Sequence, residues 1–414
     1  MTEIEKYTES VTVVDHHCHN VLDQQGFELP LSFILSEANS LDNPIFLNQL
    51  KSTLTFKRSI KDLYHFYFEN IPLQVESNNN YDTIIEQLIA NKRRELGMEN
   101  IMKMVFEKSK IEAIILDDSL KFVYNQIEFP IKSNQWHNKF TKIFKILRLE
   151  TILEKSLIEC KKQQMSFMSW KNYIEKKVRD PIESGIDTED GVRVVGFKSI
   201  VAYRTGLKVE NPSIQKVMEE FNAIMSSIEL NDISGTQLRI ASKTLIDFFI
   251  HITMGVCSAS TKPLPLQIHT GFGDSDLNME NSNPLLLKQL IETYPTVPIV
   301  LLHCSYPYTK EAGFLGWVYP NVYVDIGLAF PLLSYQGMKS TFDQLLELTP
   351  IDKIMFSSDT HHVPEFYYLA VKYSKQIISK AFSKSIKNNE ITLNEAKEFI
   401  DKIFKLNVLK LYNL

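Results

Sequence analysis

The chain has 414 residues, 45 basic and 50 acidic, for a formal charge of -5, and 44% of it is hydrophobic. That is ample for a large core. The mild acidity without a basic stripe argues against nucleic acid or a membrane surface as the main partner, and no apolar run approaches the ~20 residues of a membrane span. Four cysteines (Cys18, Cys160, Cys257, Cys304) in so long a chain make no disulfide framework, so reduced thiols and a cytoplasmic setting are expected.

The N-terminus, MTEIEKYTES, is polar and acidic, unlike a signal or transit peptide. Val11 to Val14 reads as a β-branched strand running into Asp15, His16, His17, Cys18 and His19. Side chains alternate along a strand, so His17 and His19 share a face at its C-terminal end. Paired imidazoles suit a borderline-soft divalent metal; a histidine-rich loop without a ligand role is the alternative. From Val21 to Lys110, LPLSFILSEA, FKRSIKDLYHFYFEN and YDTIIEQLIANKRRELGMENIMKMVFEKSK carry helical spacing. Residues 21–110 are therefore expected to form a helical insertion, with Ser77 to Asp82 as a loop before a helix.

From Ile111 the pattern becomes short strands separated by amphipathic helices. IEAIILDDSL ends at Asp117 and Asp118, and KIFKILRLE ends at Arg148, Leu149 and Glu150. VRVVGFKSIVAYRTGL contains Lys198 and is expected to leave the sheet through Tyr203 and Arg204. Helices over Ile214 to Ser227 and Gly235 to Gly255 follow, then strands ending at His269, His303 and Asp325. A helix over Thr341 to Leu348 leads to a last strand ending at Asp359, and a helical region closes the chain. Eight strands alternating with helices imply a parallel sheet closed as a (β/α)8 TIM barrel, here a single unit over 1–414 with the insertion after its first strand. Barrel active sites lie at the C-terminal face, where these strand ends converge.

A lone strand-end histidine is usually structural; the conjunction carries the functional reading. His17, His19, His269 and Asp359 offer three nitrogens and a carboxylate, a credible zinc site. A metal with an open position lowers the pKa of bound water to about 7. Asp359 can take that water's proton, and His303 can polarise a carbonyl or donate a proton. Arg204 could clamp a substrate carboxylate or lie on the surface, and Tyr203 serves as rim packing or a substrate contact. Asp274 and Asp276 could orient imidazoles or simply be solvated. His361 and His362 read as rim residues. His16, His65, His137 and His251 read as structural, with Cys18 and Cys304 pointing away from the ligands.

The D-H-H-C-H run at Asp15 to His19, followed in order by His269, His303 and Asp359, resembles the amidohydrolase superfamily. QIHTGFGDSD, LLHCSYP, GFKSIVAYRTGL and MFSSDTHH are similar to its amidohydrolase-related branch. Within that branch the likeness is to the domain that precedes a glutamine-synthetase-like domain in fungal fluG-type and plant nodulin-like proteins. No such second domain follows within these residues, so no role in nitrogen assimilation is expected. The resemblance implies a hydrolase or lyase on a small amide or carboxylate-bearing substrate, with non-oxidative decarboxylation or a non-catalytic regulatory barrel as rivals. One or two divalent ions per chain are implied, zinc first, with manganese or iron as alternatives. In some superfamily members a strand-four lysine is carboxylated and bridges two metals. Lys198 fits that role if it reaches the strand end; otherwise it is a buried lysine paired with a carboxylate such as Glu150, or a solvated one. The partner is a small molecule, with homo-oligomers allowed.

Overall fold

The computed structural model describes residues 1–37, 43–69, 71–72, 81–124, 127–229 and 238–414. Eight strands form one sheet in sequence order: β1 Val13–Cys18, β2 Ile111–Leu116, β3 Lys142–Arg148, β4 Val194–Ser199, β5 Leu266–Ile268, β6 Ile299–Leu301, β7 Val322–Asp325 and β8 Ile354–Met355. Every neighbouring pair is parallel. Val13 and Val14, Ile114 and Ile115, Val194 and Val195 are all buried, because a parallel sheet wrapped by helices hides both faces and favours continuous apolar runs. With the helices between them, these strands make a (β/α)8 barrel.

The barrel closes where β1 meets the segment after β8. Asp359 N–H donates to the His17 carbonyl (3.0 Å), and His19 N–H donates to the Thr360 carbonyl (2.7 Å). The Asp15 carboxylate reinforces this seam by accepting the Ser358 backbone N–H at 3.0 Å and the Ser358 hydroxyl. The interior is filled by inward residues such as Val14, Ile115, Phe144, Ile146, Val195, Val300 and Met355. Below them, the helix Asn407–Tyr412 plugs the floor with Val408 and Tyr412.

Six helices lie between β1 and β2 among the described residues: Gln24–Phe27, Leu31–Ile34, Pro44–Lys51, Leu54–Tyr67, Tyr81–Leu96 and Met98–Ser109. The last packs on β2 and on the long helix Glu365–Lys387, so it belongs to the barrel wall. Leu54–Tyr67 is capped by the Thr53 hydroxyl, which accepts Phe56 N–H at 3.2 Å. It buries Phe56, Ile60, Leu63, Tyr64 and Tyr67, spaced as one helical face. Arg93 and Tyr67 both reach Glu365, at 2.7 and 2.5 Å, and tie these helices to the barrel.

Several expected boundaries move. Of the loop expected at Ser77 to Asp82, residues 77–80 lie outside the described residues, and Tyr81 already opens a helix. The helix expected from Gly235 begins at Lys243, where Ser242 caps it, and 235–237 lie outside the described residues. The helix expected over Thr341 to Leu348 runs Tyr335–Leu346. β4 ends at Ser199 rather than Tyr203, because Val201–Tyr203 coils into a short 3-10 turn. A hairpin of Phe122–Tyr124 and Ile127–Phe129 follows β2 at the mouth of the barrel. Among the described residues no helix is long and apolar enough to cross a membrane.

Candidate metal centre

The seam bonds bring His17 and His19, at the end of β1, against Asp359. Asp359 Oδ1 lies 3.1 Å from His17 Nε2 and 3.4 Å from His19 Nε2. Asp359 sits in the left-handed region at φ 50°, a conformation costing a non-glycine residue about 1–3 kcal/mol and concentrated at functional sites. All three side chains are buried.

The electrostatics suit a cation. His19 Nδ1–H donates to the Asp117 carbonyl at 2.8 Å, so Nε2 keeps its lone pair. Burial, helped by the nearby Lys198 ammonium, lowers the His17 pKa to about 3, so the ring is neutral at physiological pH. Burial alone would raise the Asp359 carboxyl, yet His303, His17 and His19 around it hold it well below the usual range. Asp359 Oδ1 is buried without a hydrogen-bond partner among the described residues. Two imidazole lone pairs and one carboxylate oxygen thus converge, a donor set that fits a divalent ion.

The remaining expected residues surround this set. Lys198 stands near the end of β4, not deep below it, with Nζ 3.2 Å from His17 Nε2. Its expected alternative partner, Glu150, instead accepts from the Ser199 hydroxyl and Ile200 N–H at 2.7 and 3.0 Å. Burial lowers the Lys198 pKa to about 8. His269 lies outside the His17, His19 and Asp359 cluster. Its Nε2–H donates to the Phe272 carbonyl (3.0 Å), which turns Nδ1 towards His303 Nε2, also 3.0 Å away. His303 begins a run of three left-handed residues, His303 to Ser305, and its backbone N–H donates to Asp325 Oδ2 at 3.0 Å.

Above them opens a cavity of about 710 Å³ whose lining includes His19, Lys198, His269, His303 and Asp359. Tyr203 lies over His269 with ring centroids 4.5 Å apart. Gly273 makes room for it, since a Cβ there would strike the tyrosine hydroxyl. Arg204, half-expected on the surface, is largely buried on the cavity wall. Its Nη2 pairs with Glu154 at 3.2 Å, while its Nε has no partner among the described residues. Asp274 lines the cavity, and Asp276 pairs with the exposed Arg239 at 3.2 Å. His361 reaches Glu37 at 3.4 Å, and His362 packs on Phe122. Cys18 and Cys304 are buried, Cys18 against the Ile115 carbonyl. His137 accepts Val21 N–H (3.2 Å), His251 meets the Tyr294 hydroxyl (2.9 Å), and His65 is exposed on its helix.

Four supporting residues had no role in the sequence reading. Asp15 clamps the seam. Asp117 positions His19 through its carbonyl while its carboxylate takes Arg148 Nε and Nη2 at 3.0 and 2.7 Å. Asp325 holds the His303 backbone, and its other oxygen meets His16 Nε2 at 3.1 Å. Burial would raise the Asp325 carboxyl, but His16 and His303 outweigh it and hold it at about 2. The available signal was position: Asp117, Arg148 and Asp325 occupy strand ends in step with the histidines.

Comparison with known proteins agrees with this architecture. The amidohydrolase family pattern matches residues 262–414, the part containing His269, His303 and Asp359. The chain is 30% identical over 417 aligned positions to Protein fluG of Emericella nidulans, covering 97% of this chain and 46% of that one. The chain therefore spans about half the length of that curated relative. A candidate metal-dependent hydrolase of Lactobacillus casei superposes with a TM-score of 0.77 at 27% identity, covering 100% of this chain and 98% of the other. Uronate isomerase of Thermotoga maritima shares the fold alone, with a TM-score of 0.59 at 12% identity over 99% and 96% of the two chains. The D-x-H-x-H strand, the later strand-end histidines and Asp359 thus share one barrel mouth, in a chain whose residues 262–414 match the amidohydrolase family.

Proposed function

We propose that the protein is a metal-dependent hydrolase that cleaves the C–N bond of a small, carboxylate-bearing amide. The observation that carries this reading is the convergence of His17 Nε2, His19 Nε2 and Asp359 Oδ1 beneath a polar cavity. These three residues would hold the ion, and zinc suits a set of two nitrogens and one oxygen, with manganese or iron as alternatives. When bound, a divalent ion polarises a carbonyl and acidifies water.

The chain's own residues supply the rest. The Asp359 carboxylate accepts the proton of the attacking water as its oxygen bonds to the amide carbon. Asp359 then passes that proton to the leaving nitrogen as the C–N bond breaks, while the neutral His303 ring, fixed from behind by Asp325, donates an Nε2–H hydrogen bond to the substrate carbonyl. Lys198 places positive charge where the tetrahedral oxyanion develops. Arg204, with an unpaired Nε on the wall, receives the substrate carboxylate, and Tyr203 closes one side of the cavity.

The test is elemental analysis of the purified protein, followed by a screen of amides, lactones and aromatic acids with and without the identified metal. Metal-dependent release of amine from a carboxylated amide is expected. Release of carbon dioxide from an aromatic acid would replace hydrolysis by decarboxylation, and less than a tenth of an equivalent of transition metal would overturn the reading.

A further inference from the structure

The helix Thr309–Val318 follows β6 and the His303 turn on the outer wall of the barrel. Its inner side buries Ala312, Gly313, Leu315 and Gly316. Gly313 and Gly316 bring it close to Thr349, where an added Cβ would be crowded. Beyond Lys310, its outward face is apolar. Phe314, Trp317 and Val318, spaced as neighbours on one face, are 41%, 57% and 44% exposed. A helix that is apolar on both sides is normally covered on both. Leu285, on the 3-10 turn Pro284–Leu287 that packs beside this helix, is also exposed. So is Leu348, next to Thr349.

From this arrangement we infer that the face of Thr309–Val318 is the contact of a two-fold homodimer. The five side chains present on the order of 450 Å² of apolar surface. A stable interface of ordinary size hides about 800 Å² per partner, about 56–65% of it apolar, so the patch supplies what one partner must contribute. Its edges carry two exposed ion pairs, Lys310–Glu347 at 3.1 Å and Lys288–Glu292 at 2.6 Å. An edge with equal numbers of both signs complements itself under a two-fold rotation and selects neither an acidic nor a basic partner. A second copy of this chain meets both requirements. Because the same patch is used by both copies, assembly stops at two.

The experiment is sedimentation velocity on the full chain from about 1 to about 100 μM, for the wild type and for Trp317→Glu and Phe314→Glu. The expected result is a wild-type dimer and monomeric variants with unchanged far-ultraviolet circular dichroism. A Trp136→Phe background gives a second reading that leaves the patch intact. There Trp170 is buried and Trp317 reports the contact, so dilution should shift the emission to the red as the dimer separates. A wild type that stays monomeric at the highest concentration overturns the inference. So does a dimer that survives both charge substitutions, or an assembly larger than two.

Discussion

Arg148→Met tests whether the residues behind the candidate metal ligands are held by charge. Arg148 and Asp117 are both buried, joined by two hydrogen bonds of 3.0 and 2.7 Å, and a third from Arg148 Nη1 reaches the Ser119 carbonyl at 3.3 Å. Burial would raise the Asp117 carboxyl, but Arg148 outweighs it and holds the group well below the usual carboxylate range. Removing the arginine leaves a buried carboxylate without its counter-charge, with only the Ser119 N–H on Oδ1 at 3.2 Å, a change that typically costs about 3–5 kcal/mol. A chain of 414 residues unfolds with an entropy of about 0.9 kcal/mol/K, so the melting temperature should fall by about 3–6 °C. A folded-state pKa below the unfolded one stabilises above the unfolded value, about 3.9, and that contribution fades as acid protonates Asp117. The deficit should therefore be largest at neutral pH and shrink as acid protonates Asp117, whose carboxyl is raised by burial once Arg148 is gone. The Asp117 carbonyl remains to orient His19, so metal affinity should drop by no more than about tenfold. Differential scanning calorimetry at a fixed scan rate, with Asp117→Asn and the double variant completing a cycle, reads the coupling. A shift below about 1 °C, or additive single effects, would refute the argument.

Asp359→Asn keeps the side-chain shape but cannot take a proton, so turnover on an identified substrate should fall about 10²–10⁴-fold while the fold and much of the metal remain; a rate within a few-fold of the parent makes Asp359 a ligand only. His17→Ala should lose metal and activity together, read by elemental analysis beside the rate. Lys198→Met should lower turnover strongly at unchanged metal content, whereas a halved content would assign Lys198 as a bridge between two ions. Tyr412→Phe should cost about 1 kcal/mol in thermal stability, because the hydroxyl accepts Gln267 Nε2–H at 2.7 Å and meets His16 Nδ1 at 3.3 Å beneath Asp325.

What was legible in the sequence was what periodicity and strand ends encode. Eight apolar runs, each ending in a polar residue, specify the barrel, and alternation puts His17 and His19 on one face. What escaped depends on backbone turns or distant partners. The apolar residues after Ser199 read as more strand, yet they coil into a 3-10 turn, which lifts Lys198 to the strand end. The turn of His269 towards His303 follows from the Phe272 carbonyl, and no residue spacing announces it. The left-handed stretch at His303 to Ser305 contains no glycine, so the usual signature was missing. His16 read as a core or surface histidine because its partner, Asp325, lies 309 positions away.

The seam that closes the barrel also sets when the centre can exist. Asp15 and Ser358 are 343 positions apart, and His17 and Asp359 are separated almost as widely. During synthesis the chain emerges N-terminus first at about 5–20 residues per second, so the histidine pair is made well before its carboxylate. Contacts of such separation carry a large loop-closure cost and form late. The His17 and His19 pair alone is an incomplete ligand set, so on the proposed reading metal capture would belong to the last stage of folding, when the eighth strand docks. Metal supplied during refolding should accordingly slow unfolding of the finished barrel far more than it accelerates the early collapse.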